Sequence, residues 1–173
     1  MSHWYMLSVV GKDQIGIVAS LTQALNMAGC YLGEASMMRL GGNFSIMLMV
    51  RYAGDLGTLE KIIAPIAKTL SLKFHMDAIE GGLHQHDIPD VSVTVCGQDR
   101  TGIVAKATRL LADAGLNILN LESDVGGDDS NPIYIMHIEG KATQGIEKIQ
   151  QCIASQPMEG IEFSCRAIDT LLG

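Results

Sequence analysis

The chain has 173 residues, of which 47% are hydrophobic and 18% charged, so it can fill a packed core and is not a disordered chain. Nineteen acidic residues against 12 basic ones give a formal net charge of −7, which argues against direct binding to a nucleic-acid backbone. No apolar run approaches the roughly 20 residues of a membrane-spanning helix, and the first residues lack the pattern of a secretory signal. These features predict a cytoplasmic protein.

The first half of the chain alternates between strand and helix patterns. Its β-prone segments predict four strands, over 4–10, 31–40, 44–52 and 73–80. Apolar spacing predicts a helix that begins at Gly16 and ends before Gly29. The glycine turn at 41–43 is typical of a hairpin. A second helical stripe follows, in which Pro65 either kinks the helix or marks its start.

The second half repeats this order. Its predicted strands lie over 91–95, 117–125, 132–139 and 161–167. One helix begins at Ile103 and ends before Gly115, and another carries an apolar stripe over 146–153. The polar segment 126–131 is predicted to be the loop between the two middle strands.

An internal repeat relates the two halves. When the chain is aligned with itself at an offset of 86 residues, 11 of the 28 pairs that begin at Val9 and Val95 are identical, without a gap. Two copies of one unit therefore fill the chain. The predicted fold class is α+β, with two ferredoxin-like βαββαβ domains whose four-stranded antiparallel sheets carry helices on one face. The predicted domains are 1–82 and 91–173, joined by a linker over 83–90.

The junction between first strand and first helix is the best-matched part of the repeat. Asp13 and Gly16 in the first copy match Asp99 and Gly102 in the second. A helix N-terminus offers free N–H groups and a positive dipole end, and glycine lets a ligand approach the backbone. The alternative interpretation is structural: the aspartates cap the helices and the glycines shape the turn. No Lys-Ser/Thr pair follows the glycine, so a nucleotide phosphate loop is excluded.

The pattern of strand, Gly-x-Asp-x-x-Gly-Ile-Val, helix and Ala-Gly resembles the ACT domain, a small ligand-sensing module. A chain of two such modules resembles the glycine cleavage system transcriptional repressor family. The resemblance implies an amino-acid ligand at an interface between domains, held by the helix start and by the opening of the second strand. On this chain those positions are Asp13, Gly16, Ile17, Asp99, Gly102, Ile103 and Asn117.

The chain departs from the ACT pattern at two kinds of position. Ile15 and Thr101 stand where the family often has proline before the motif glycine. Tyr31 occupies in the first copy the position that Asn117 has in the second, so the first copy lacks that polar group.

Neither copy carries a pattern typical of catalysis, so we expect a regulatory protein and no enzyme. His137 lies alone in a strand with no nucleophile motif around it. The resemblance implies a sensor that contacts a transcription factor; the alternative is a regulatory subunit that docks on a metabolic enzyme. An RNA-binding plait is a third class, which the missing basic face disfavours. No cofactor is expected.

Three further features bear on ligands and partners. His84 and His86 could share a metal, but their position in the linker favours a solvated segment. The four cysteines form no C-x-x-C pair and are expected to be free thiols. Met47 and Met49 lie on the strand face opposite the core residues, which predicts cover by another chain, as in a homodimer, or by the sister domain. The alternative is that the open face tolerates scattered apolar residues.

Overall fold

The structure is a computed structural model that describes residues 2–80, 87–98, 100–128 and 131–168. The chain divides into two compact units, Met1–Gln85 and His86–Gly173. We refer to them as the first unit and the second unit.

The first unit has the element order βαββαβ. Its elements are β1 (His3–Lys12), α1 (Ile17–Met27), β2 (Tyr31–Leu40), β3 (Asn43–Tyr52), α2 (Leu56–Thr69) and β4 (Lys73–Ile79). The strands form one antiparallel sheet in the order β2-β3-β1-β4.

The second unit repeats this architecture. Its elements are β5 (Val91–Gln98), α3 (Ile103–Asp113), β6 (Leu116–Asp128), β7 (Asn131–Ala142), α4 (Ile146–Ser155) and β8 (Ile161–Ala167). The strands form an antiparallel sheet in the order β6-β7-β5-β8. The predicted pair of βαββαβ units is therefore confirmed.

Each unit has its own hydrophobic core between one sheet face and its two helices. In the first unit, alternate residues of β1 and β3 pack with the stripes of α1 and α2; Leu25 and Leu59 are fully buried. In the second unit, Leu111 and Ile149 take the corresponding places in α3 and α4. Burying one such side chain contributes about 1.5–3 kcal/mol of transfer free energy.

The two hairpins agree with the sequence to different extents. Leu40 pairs with Asn43, which leaves Gly41 and Gly42 as a two-residue turn with φ of 56° and 75°. Turns of this kind need positive φ at both central residues, as predicted. The predicted loop over 126–131 is wrong, because β6 and β7 stay paired as far as Asp128 and Asn131. Main-chain hydrogen bonds carry a ladder through glycine and polar residues, so this polar composition does not end the strands.

The bounds of helix α2 show where Pro65 lies in it. The helix begins at Leu56, after Asp55, whose Oδ1 accepts the Thr58 backbone N–H at 2.8 Å. This hydrogen bond lowers the pKa of the Asp55 carboxyl. Pro65 lies inside the helix and does not mark its start.

Asp90 fastens the beginning of the second unit to the end of β7. Its Oδ1 accepts the Ala142 N–H at 2.8 Å, and its Oδ2 lies 3.0 Å from Lys141 Nζ. Its own N–H donates to the Gly140 carbonyl at 3.0 Å. The bond from Ala142, assisted by Lys141, lowers the pKa of the Asp90 carboxyl.

Asp90→Asn is expected to lower the unfolding free energy at pH 7 and to lose this effect in acid. A lowered pKa means that the folded state favours the ionised carboxylate, so the stabilisation is complete above the unfolded pKa of about 4 and is lost as pH falls through the lower folded value. The effect is modest because the carboxylate is partly solvated. Urea denaturation across this pH range measures it, with Asp87→Asn, at an exposed position, as the control. A loss that is equal at all pH values would contradict the prediction.

Candidate functional site

The two strand–helix junctions have the same backbone geometry. Gly16 precedes α1 with φ 93° and ψ −1°, and Gly102 precedes α3 with φ 93° and ψ 0°. Each glycine carbonyl accepts the first helical hydrogen bond, from Ser20 at 2.9 Å and from Lys106 at 3.0 Å. Within the described residues, no side chain caps either helix start. The sequence repeat is therefore also a repeat of local structure.

Backbone conformation explains the glycine at both positions. A φ of 93° lies in the left-handed region, where side chains other than glycine are strained. Crowding is not the reason, because a Cβ added to Gly16 or Gly102 would meet no described heavy atom within 4 Å. Open space thus lies beside the first turn of each helix, where N–H groups and the positive dipole end favour an anion.

Asp13 does not cap α1, and the capping interpretation is wrong for this residue. Its Oδ2 lies 2.6 Å from Nη2 of Arg39, and its N–H donates to the Gly42 carbonyl at 3.0 Å. Asp13 therefore joins the β1–α1 loop to the tip of the β2–β3 hairpin. Asp99, its counterpart, lies outside the described residues. The N-cap residue of α3 is Gly102.

Ile17 and Ile103 contribute their side chains to the cores. They are 2% and 3% exposed, so a ligand at the junction could meet only their main chains. The Ile103 N–H already donates to the Arg100 carbonyl at 3.3 Å. These isoleucines hold the first helical turn against the sheet, which fixes the position of the glycine before it.

A long polar side chain anchors each loop at the same position of the repeat. Gln14 Nε2 donates to the Leu70 carbonyl at 2.8 Å, just after α2. Arg100 Nη2 donates to the Glu159 carbonyl, in the turn before β8. Neither residue is among the predicted site residues. The signal available for them was a long hydrogen-bonding side chain directly after the motif aspartate in both copies.

Asn117 lies beside helix α3 and not at the start of that helix. It is exposed at the beginning of β6 and lines a depression of about 580 Å³ together with Ala105, Thr108 and Ala112 of α3. The depression follows α3 toward its C-terminal half. In the first unit, Tyr31 at the matching position packs edge-on against Trp4 instead, with ring centroids 6.0 Å apart.

Another depression lies far along β1 from the junction. It measures about 590 Å³, and its lining includes Trp4, Asp55 and Glu80. These residues come from the start of β1, the β3–α2 connection and the segment after β4. None of the residues predicted to bind a ligand belongs to it.

The described residues offer few other groups that could bind a metal or take part in catalysis. They contain no group of three or more His, Cys, Asp or Glu side chains placed to hold a metal, and His84 and His86 lie outside them. The four cysteines are free thiols, as predicted; burial raises the thiol pKa of Cys30 and Cys165. His137 is exposed, with Nδ1 3.2 Å from the Thr94 hydroxyl. No helix in the described part of the chain has the length and apolar content needed to cross a membrane.

The comparisons with known proteins address both units. A family model of the ACT domain matches residues 3–77, and another ACT domain model matches residues 91–157. No curated protein matches the sequence.

Two solved structures match almost the whole chain. An unknown protein from Galdieria sulphuraria is 21% identical with a TM-score of 0.76, and the match covers 97% of this chain and 99% of that one. A candidate glycine cleavage system transcriptional repressor is 17% identical with a TM-score of 0.67, and the match covers 97% and 98%. At these identities the likeness is one of fold. With an ACT domain matched in each unit, the chain belongs to the ACT domain family.

Proposed function

We propose that this protein is a regulatory sensor of a small amino acid that signals through protein–protein contacts and catalyses no reaction. One observation carries the proposal: both units present the same glycine-opened helix start, with space beside it that no described atom fills. A regulatory role agrees with ACT domains, which are typically ligand-sensing modules. Residues 1–82 and 91–173 would be the two sensing domains, joined by the linker 83–90.

An amino acid matches the chemistry of these helix starts. Its carboxylate would accept hydrogen bonds from the first free N–H groups of the helix, and the helix dipole favours its negative charge. In the first unit, Arg39 lies at the same loop and neutralises Asp13 at 2.6 Å, so the junction keeps a positive character. In the second unit, the amide oxygen of Asn117 would accept a hydrogen bond from the ligand ammonium group. Asp99, Gly16, Gly102 and the main chains of Ile17 and Ile103 complete the proposed contacts.

The absence of a catalytic role is supported by the environment of the polar side chains. Catalytic acids, bases and nucleophiles usually lie in clefts that perturb their pKa. Among the described residues, none of the polar or charged ones is buried. The Nδ1 atom of the exposed His137 lies 3.2 Å from the Thr94 hydroxyl, and this pair alone is not a nucleophile–base–orienter arrangement.

A transcription factor is the partner that we propose first. The match in fold to a candidate glycine cleavage system transcriptional repressor favours it, and the protein would act in the cytoplasm. Residues 1–90 carry 6 basic and 8 acidic side chains, and the remainder carries 6 and 11. Neither half therefore supplies the basic excess that direct DNA contact needs. The alternative partner is a metabolic enzyme, and co-purification separates the two.

Calorimetric titration with each of the common amino acids tests the proposal. We expect one of them to bind, and Gly16→Ala with Gly102→Ala to weaken binding at least tenfold, because two methyl groups would occupy the space beside the helix starts. The matched control is Gly29→Ala, at the other end of α1: its φ of 75° is also left-handed and its Cβ is also free of neighbours within 4 Å. That variant should bind normally. If no amino acid binds, the sensor proposal is wrong.

A further inference from the structure

The open face of the first sheet, opposite the helices, carries a group of apolar side chains along its central strands. The strand register places Met6 beside Met49, and Met47 beside Ser8, on this side. Val10 and Met38 extend the same surface, since both neighbour Ser45. Met38 is 59% exposed, Met47 49% and Val10 47%. We call these five residues, Met6, Val10, Met38, Met47 and Met49, the methionine face.

An aromatic cluster borders the methionine face at one end. The Arg51 guanidinium carbon lies 5.6 Å from the Trp4 ring centroid and 4.6 Å from that of Tyr31. The Trp4 and Tyr31 rings also contact each other edge-on. Tryptophan, tyrosine and arginine are the residue types that most often dominate the binding energy of protein interfaces. These mutual contacts restrain the three side chains before a partner binds, which lowers the entropy cost of binding.

The second unit shows that the fold does not require this surface. Ser92 occupies the place of Met6, His137 that of Met47 and Glu139 that of Met49, by their pairing within the sheet. Asp124 replaces Met38, because Met38 pairs with Ser45, which lies opposite Val10. Asp124 pairs in the same way with Ile135, which lies opposite Cys96. The same face is thus polar and acidic in one unit and apolar in the other. An apolar surface that only the first unit carries indicates a contact that only the first unit makes.

We infer that the methionine face binds the methionine face of a second copy of this chain, in a two-fold symmetric dimer. The described residues of the two central strands place no charged side chain on this face between Arg51 and Lys12, so two copies can exclude water from that part without burying a charge. Charged groups surround it: Lys12 lies at its end, and Lys73 and the pair formed by His75 and Asp77, 2.8 Å apart, lie on the edge strand β4 beside Val10, Ser8 and Met6. An acidic occupant, such as the open face of the second unit, would instead bury carboxylates against methionine.

The open face of the whole sheet, with the methionine face at its centre and charged residues at its rim, is large enough for a dimer. Its four strands, about 4.8 Å apart and each about eight residues long, cover on the order of 500 Å². Two copies would therefore bury about 1,000 Å² in projection, which reaches the threshold for a specific interface.

The methionine face also has a depression that a side chain from a second copy can fill. A depression of about 330 Å³ lies between β1, β3 and β4, with Val10, Met47 and Lys73 in its lining. Methionine is unbranched and flexible, so a side chain from the partner copy can adapt to this depression. Self-complementarity of this kind is what a two-fold interface requires.

Light scattering of the full chain tests the inference, with Met47→Glu as the variant and His137→Glu as the control at the matched position of the second unit. We expect the wild type and His137→Glu to have about twice the 18.6 kDa chain mass, and Met47→Glu to have the mass of one chain. Met38→Glu, at a more exposed position, should give the same result if Met47→Glu does not fold. A monomeric wild type, or a Met47→Glu protein that folds and stays dimeric, would overturn the inference.

The single tryptophan provides a second readout. Trp4 lies at the border of the methionine face, so its emission should change on dilution of the wild type and stay constant for Met47→Glu. This inference goes beyond the proposed function, and the two can fail separately: the dimer is judged without any amino acid present, whereas amino-acid binding is judged by calorimetry.

Discussion

Gly140→Ala is expected to lower the unfolding free energy of the second unit by about 3 kcal/mol, as strong overpacking does. Gly140 is buried in β7 and pairs with Ile118 of β6. A Cβ at this position would collide with the carbonyl oxygen of Asn117 and lie 3.0 Å from a methyl group of Leu116. A backbone atom cannot turn aside as a side chain can, so β6 itself would have to move.

The close approach lies next to an irregularity in β6. The pairing with β7 shifts between Ile118 and Asn120, and the Asn117 carbonyl just before this shift lies against Gly140. Asn117 is one of the proposed ligand contacts. We therefore expect Gly140→Ala to disturb the opening of β6 as well as the stability.

Urea denaturation measures this effect against a matched control. Gly126 lies in the neighbouring strand β6, outside the left-handed region, and a Cβ there would meet no described atom within 4 Å. Gly126→Ala should change the unfolding free energy by no more than about 0.5 kcal/mol. Equal effects of the two substitutions would contradict the role assigned to the Asn117 contact.

Leu111→Ala and Leu25→Ala are expected to destabilise different units by about 3 kcal/mol each. The two leucines stand at matched positions of the repeat, and both are 0% exposed. Leu25 belongs to the core of the first unit and Leu111 to that of the second. Removing three carbon atoms from either leaves a cavity that the packed surroundings fill only in part.

Scanning calorimetry distinguishes the two losses. If residues 1–82 and 91–173 are independent domains, each variant should lower the melting temperature of one component and leave the other in place. A single transition that both substitutions shift equally would show that the two cores unfold as one.

The repeat predicted the fold because local signals and core pattern agree in both copies. Strand alternation, the buried stripe from Ile17 to Leu25 and the turn glycines each act over a few residues, so they can be read from sequence. The pair formed by Asp13 and Arg39 could not be read in this way. It joins the β1–α1 loop to the tip of the β2–β3 hairpin, and the offset of 86 places Val125 where a second arginine would be needed.

The difference between the open faces of the two units could not be predicted from the sequence, for a related reason. An offset of 86 aligns Met47 with Ile133, but the longer β6–β7 hairpin means that His137 is the residue that faces Thr94, as Met47 faces Ser8. Only the strand register shows which residues share a position. The sequence therefore predicted apolar residues on the open face of the first unit but not their replacement by acidic residues in the second.

Binding of an amino acid at the two glycine-opened helix starts can be followed through the backbone amide chemical shifts of the full chain while each amino acid is added. We expect one of them to shift the amides at the start of α1 and α3, including those of Gly16 and Gly102, more than any others. The absence of a shift with every amino acid, or shifts confined to the depression beside Trp4 and Asp55, would contradict it.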